Sequence, residues 1–99
     1  MICTLTARRL KPGAYDAFRA AWDPGDGAAE VLARWHPIYH VRDVADADVV
    51  ISFGFFHGSQ EELAEAQAQM DRGDQVDRIA ASVDLVLLDG AYEVVEQLG

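Results

Sequence analysis

The chain has no asparagine, one lysine and one cysteine in 99 residues. The lone cysteine, Cys3, excludes an internal disulfide and a cysteine-based metal cluster. Within a β-rich segment it is expected to act as a small buried hydrophobe. Basic residues are also few: eight against seventeen acidic ones, for a net charge of −9. Such a surface repels a phosphate backbone, and the longest basic run is Arg8-Arg9, so nucleic acid is not an expected partner. No apolar run approaches the ~20 residues of a membrane span, so no membrane association is expected. The opening MICTLTARRL lacks the basic start and apolar core of a secretory signal, and a cytoplasmic location is expected. A phosphate loop, a nucleophile elbow, a CxxC pair and a dinucleotide fingerprint are all missing.

What remains is an ordinary folding composition, 51% hydrophobic and 25% charged, at a length that suits one domain over residues 1–99. Residues 2–9 alternate and favour a first strand. Lys11-Pro12-Gly13 breaks it, and Tyr15, Phe18 and Trp22 then fall on one helical face. Asp23-Pro24-Gly25-Asp26-Gly27 stops that helix, and residues 28–34 suit one or two further turns with Val31 and Leu32 inward. Residues 35–43 predict a second strand, with Pro37 favouring an edge position. After a short connection over 44–48, VVISFGFFHG predicts a third strand. Ser59 and Glu62 fit a capping box ahead of a helix that turns Leu63, Ala66 and Met70 to one face. Gly73 interrupts it, and Asp74 is expected to cap a second segment with Val76, Ile79, Ala80 and Val83 inward. A last strand, DLVLLDGAYEVVEQL, is expected to bulge or bend at Asp89-Gly90.

The order β-α-β-β-α-β predicts an α+β, ferredoxin-like domain: a four-stranded antiparallel sheet with its helices on one face. Strand three then poses a problem. Val49, Ile51, Phe53 and Phe55 line one side, and Val50, Ser52, Gly54 and Phe56 the other. The helices can cover only one of these. LVLL and YEVV in the last strand are apolar at consecutive positions too. An exposed apolar sheet face marks an interface, and a second copy of the same sheet covers it by two-fold symmetry. The expected assembly is a homodimer that closes as a dimeric α/β barrel.

Over nearly all of residues 1–96 the chain resembles the antibiotic biosynthesis monooxygenase-like (ABM) domains of the dimeric α/β barrel superfamily. The resemblance lies in LKPGAYDAF leading into the first helix, the central VISFGFF strand and the closing VLLDGAYEVV. It implies a pocket between sheet and helices that takes a small hydrophobic or aromatic molecule. Members with known chemistry include cofactor-independent oxygenases of polycyclic quinols and haem-degrading proteins. Both use an Asn, which this sequence lacks. The alternatives are therefore an oxygenase without that residue, a non-catalytic ligand-binding or interaction domain, and, less favoured, a haem-binding protein.

His36, His40 and His57 are the three histidines. On a strand His36 and His40 stand ~13 Å apart, too far to share one ion, so no metal site is expected, and no cofactor either. Ile38, His40 and Arg42 alternate onto one face of strand two. If that face meets the helices, His40 supplies a base and Arg42 a fixed cation for the ligand's anion. If it meets a partner subunit, the pair is structural. Trp22, Trp35 and Tyr39 are candidate ring-binding walls, and His57 lies near the hairpin end. Arg8 and Arg9 are expected to be solvated or paired.

Overall fold

The computed structural model describes residues 1–25 and 28–99; the Asp26-Gly27 part of the expected helix stop lies outside the described residues. The elements run β1 (Ile2–Leu10), α1 (Tyr15–Trp22), α2 (Ala29–Leu32), β2 (Trp35–Arg42), β3 (Val49–Phe56), α3 (Gln60–Gln69), α4 (Arg72–Ile79) and β4 (Val83–Glu93), with a 3-10 turn over Ala80–Ser82. The sheet order is β2-β3-β1-β4 and every pairing is antiparallel, which is the ferredoxin-like α+β arrangement. Pro37 lies on an edge strand, where its missing N–H costs no ladder bond, and the β2–β3 register shifts there.

The turns follow local chemistry. Gly13 holds φ +69°, a left-handed conformation that glycine adopts freely, and the amide of Ala14 donates to Lys11 O at 3.0 Å. At α3, Ser59 Oγ accepts the Glu62 amide at 3.1 Å while Glu62 Oε1 accepts the Ser59 amide at 3.0 Å. Both halves of the capping box are formed. Ser59→Ala should therefore lower stability by about 1 kcal/mol, read as a shift in the urea midpoint at constant slope.

The start of α4 differs from expectation. Asp71, not Asp74, is the cap: at φ 51° it reverses the chain, and its carboxylate accepts the Asp74 amide at 3.2 Å. Starting the helix three residues earlier changes its phase. Gln75 and Ile79, one turn apart, become the buried pair, while Val76 is left 44% exposed and Ala80 is exposed too. The irregularity in β4 also moves. Ala7 pairs with Leu88 but Arg8 with Val86, and Arg9 with Leu85 but Leu10 with Val83, so extra residues stand at Leu87 and Asp84 and not at Asp89-Gly90. Asp89 stays in register opposite Thr6, to which it is hydrogen-bonded. The strand ends at Glu93, before the expected close.

Helices cover one face only. On that side lie two apolar clusters. Ile2, Trp35, Phe56, Leu63 and Ala66 form one, and Leu10, Phe18, Val50 and Ile79 the other. β1 faces the helices through Ile2, Thr4, Thr6, Arg8 and Leu10, and β3 through Val50, Ser52, Gly54 and Phe56. In both strands the ends are apolar and the middle is small or polar. The clusters therefore form at the two ends of the sheet, and the space between them is not filled. On the opposite face, Leu85 and Leu88 are 55% and 51% exposed, and Tyr39 stacks on Phe53 with ring centroids 5.2 Å apart.

Candidate functional site

The unfilled space is a cavity of about 290 Å³ between the sheet and the helices. Trp22 at the end of α1 and Trp35 at the start of β2 are two of its walls, with Ile38, Leu32 and Met70 beside them. Trp35 Nε1 donates to Thr4 Oγ1 at 3.0 Å, which fixes the indole plane. Gly54 makes room for that ring: a Cβ there would stand 3.0 Å from Ile38 Cγ1 and 3.3 Å from Trp35 Cδ1.

The polar part is a row that crosses all four strands. Asp89, Thr6, Ser52 and His40 are consecutive cross-strand partners on the helix side. Thr6 Oγ1 donates to Asp89 Oδ1 at 2.9 Å, and His40 Nδ1 lies 2.7 Å from Ser52 Oγ. Arg72 of α4 grips Asp89 through contacts of 2.8 and 3.0 Å to its two oxygens. Gln75 is buried and donates to Trp22 O at 2.6 Å, tying α4 to the cavity wall on α1. Arg8, next to Thr6 on the same face of β1, completes the lining.

The face of β2 that carries His40 looks toward the helices. The imidazole stands edge-to-face against Trp22, centroids 4.7 Å apart, and against Phe18 at 5.9 Å. It does not line the cavity; Ser52 stands between them. Burial, reinforced by Arg19 and Arg8, holds its pKa at about 4 against an ordinary 6.5. The ring is therefore neutral at neutral pH. In the unfolded chain it takes a proton below pH 6.5, in the folded chain only below about 4. The unfolded state holds more protons between these values, so this contribution to stability is complete above pH 6.5 and drains as pH falls toward 4. With partial exposure discounted, the loss should be ~2 kcal/mol. Urea unfolding of wild type and His40→Asn across that range should give curves that converge as pH falls.

The other expected residues scatter. The Arg42 guanidinium lies 5.0 Å from the Tyr15 ring centroid, outside the cavity, and its partner there is an aromatic face. Tyr39 is on the opposite face of the sheet, because it alternates with His40. His57 is exposed just past β3, its Nε2 2.9 Å from His36 O. Trp22 and Trp35 are thus the two expected residues that meet at the cavity. Arg8 overturns its expectation: it is 4% exposed, drawn in beside Phe18, while Arg9 on the other face pairs with Asp46. The alternation along Ile2-Thr4-Thr6-Arg8-Leu10 was the available signal, since a polar middle on a core-facing strand leaves space that apolar side chains would fill.

The arrangement of an antiparallel sheet with helices on one face recurs in solved structures. A Chloroflexus aurantiacus protein provisionally named an antibiotic biosynthesis monooxygenase superposes with a TM-score of 0.70, at 15% identity, over 99% of this chain and 96% of that one. The fold is ABM-like. A Mycobacterium tuberculosis protein matches at a TM-score of 0.72 and 12% identity, over 99% of this chain and 98% of its own. A nipsnap family protein of unknown function from Agrobacterium tumefaciens matches at 0.62 and 15% identity, over 96% and 92%. No family model and no curated protein matches the sequence. At this level of identity the ABM-like likeness is one of fold, and the same frame carries different names. Among the described residues no histidine lines the cavity, so its wall offers no imidazole to ligate a haem iron. No helix is long and apolar enough to cross a membrane.

Proposed function

We propose that this protein is a cytoplasmic homodimer that binds a small hydrophobic or aromatic molecule in the cavity beneath its helices. The observation that carries this is the cavity itself. Its volume of about 290 Å³ meets two indoles and a short set of polar groups, the usual make-up of a small-molecule site. Room of that order suits a molecule of about two or three fused rings. Binding should quench the fluorescence of Trp22 and Trp35, and Gly54→Leu, which pushes a side chain against Trp35, should abolish it while the fold persists by circular dichroism.

If the bound molecule reacts, the chemistry we propose is cofactor-independent monooxygenation. A quinol or anthrone loses a proton, and the resulting carbanion-like anion reacts directly with dioxygen. One oxygen atom becomes the new carbonyl; the other leaves as water with two hydrogens from the substrate, which supplies all the electrons. His40 acts as the base through the Ser52 hydroxyl. Its low pKa makes it a transient proton carrier, so the step must be completed quickly. Oxygen uptake with a panel of quinols should be stoichiometric with substrate and should fall at least about a hundredfold in His40→Ala, the lower range for loss of a general base. Equal uptake by both proteins, or none by either, removes the catalytic reading. A non-catalytic ligand-binding domain is the second reading. It is favoured by His40 standing behind Ser52 and by Arg42 lying outside the cavity.

The dimer reading rests on the uncovered sheet face. Tyr39, Val41, Leu85, Leu88 and Tyr92 are all exposed there, and burying each large apolar side chain gains about 1.5–3 kcal/mol. A second copy is self-complementary under a two-fold axis, which matches apolar sheet to apolar sheet.

A further inference from the structure

The charge of the ligand can be argued from the cavity's polar wall, granted the reading above that the cavity takes a small molecule. Arg8 is 4% exposed, yet its Nη1 has no hydrogen-bond partner among the described residues. A buried guanidinium keeps its charge and carries five N–H donors, so a vacant one is costly. The carboxylate that would ordinarily answer it is in the same cavity but is committed. Asp89 Oδ1 accepts from Thr6 at 2.9 Å and from Arg72 at 2.8 Å, and Oδ2 accepts from Arg72 at 3.0 Å. Arg8, Arg72 and Asp89 are the charged side chains lining the cavity, and two cations against one anion leave a single uncompensated positive charge. The remaining polar wall offers no second anion: Thr4, Thr6, Ser52, Gln67 and Gln75 are neutral.

We propose that the ligand is a monoanion, a hydrophobic aromatic acid whose one carboxylate pairs with the Arg8 guanidinium on the cavity wall while its rings lie against Trp22 and Trp35. A carboxylate is ionised at neutral pH and matches a guanidinium edge, whereas a phenol arrives neutral. A phosphate monoester would overshoot the compensation needed by bringing close to two charges.

The test compares 2-naphthoate with its neutral near-isostere 2-naphthamide, and 2-naphthol as the phenolic arm, by isothermal titration at neutral pH. Wild type should bind naphthoate at least about tenfold tighter than naphthamide or naphthol, as one charge-assisted hydrogen bond implies. Arg8→Met should erase that preference and leave naphthamide binding within about threefold, since only the charge-assisted bond is removed. Asp89→Asn should raise the preference for naphthoate, because it frees Arg72. Naphthol or naphthamide binding as tightly as naphthoate to wild type overturns the anion assignment and leaves the small-molecule reading standing. Failure of all three to bind at millimolar concentration overturns both. If Arg8→Met does not fold, the wild-type preference and the Asp89→Asn shift still decide the question.

Discussion

Leu88→Asp should abolish the proposed sheet-to-sheet dimer and leave a monomer of 10.8 kDa. Leu88 pairs with Ala7, and Ala7 with Ile51, so all three lie on the face that no helix covers. Leu88 is 51% exposed in the single chain. Across a two-fold axis one substitution places two carboxylates in the same apolar interface. Each loses its water without a partner, at a cost of several kcal/mol. The dissociation constant should rise by at least about a thousandfold, or about 4 kcal/mol. Val44→Asp, at a fully exposed position of the β2–β3 connection, should leave the proposed dimer unchanged. Sedimentation equilibrium reads both. A folded wild type that sediments at 10.8 kDa at micromolar concentration would remove the sheet-to-sheet assembly.

The second large effect is on stability. Phe56→Ala should cost about 3–5 kcal/mol, out of roughly 5–15 available to a domain of this kind. Phe56 is fully buried, its ring 4.8 Å from the Trp35 ring and 4.8 Å from the Arg34 guanidinium carbon on another side. Removing it leaves a hole between α3 and the sheet and takes away one support of Trp35. Ligand binding should weaken along with stability, because Trp35 is a wall of the cavity. Phe56→Leu keeps most of the volume and should cost less than half as much. A urea midpoint that moves by the equivalent of less than about 1 kcal/mol for Phe56→Ala would show that this cluster does not hold the sheet end together.

Strand and helix positions were largely legible because they rest on short-range patterns. VVISFGFF alternates by two, and Tyr15, Phe18 and Trp22 repeat by turns of a helix; both faces came out as expected. The capping box at Ser59 is equally local. The misjudged places depend on distant groups. Arg8 looks like a surface residue beside Arg9, and only the packing of Phe18 over β1 draws it in. Helical phase in α4 depended on which aspartate capped it, a choice made by the chain reversal at Asp71.

By itself, the sequence determined that this chain folds as an antiparallel sheet with helices on one side. Hydrophobic period and turn chemistry act over a few residues and leave little alternative. Tertiary structure decided which polar side chains meet. The cavity exists because the inward faces of β1 and β3 are small and polar at the same height, and it carries a net positive charge because Arg8 and Arg72 face a single carboxylate, Asp89, which Arg72 and Thr6 hold. Those facts depend on cross-strand register and on α4 lying over β4, and neither is set by residues adjacent in the chain.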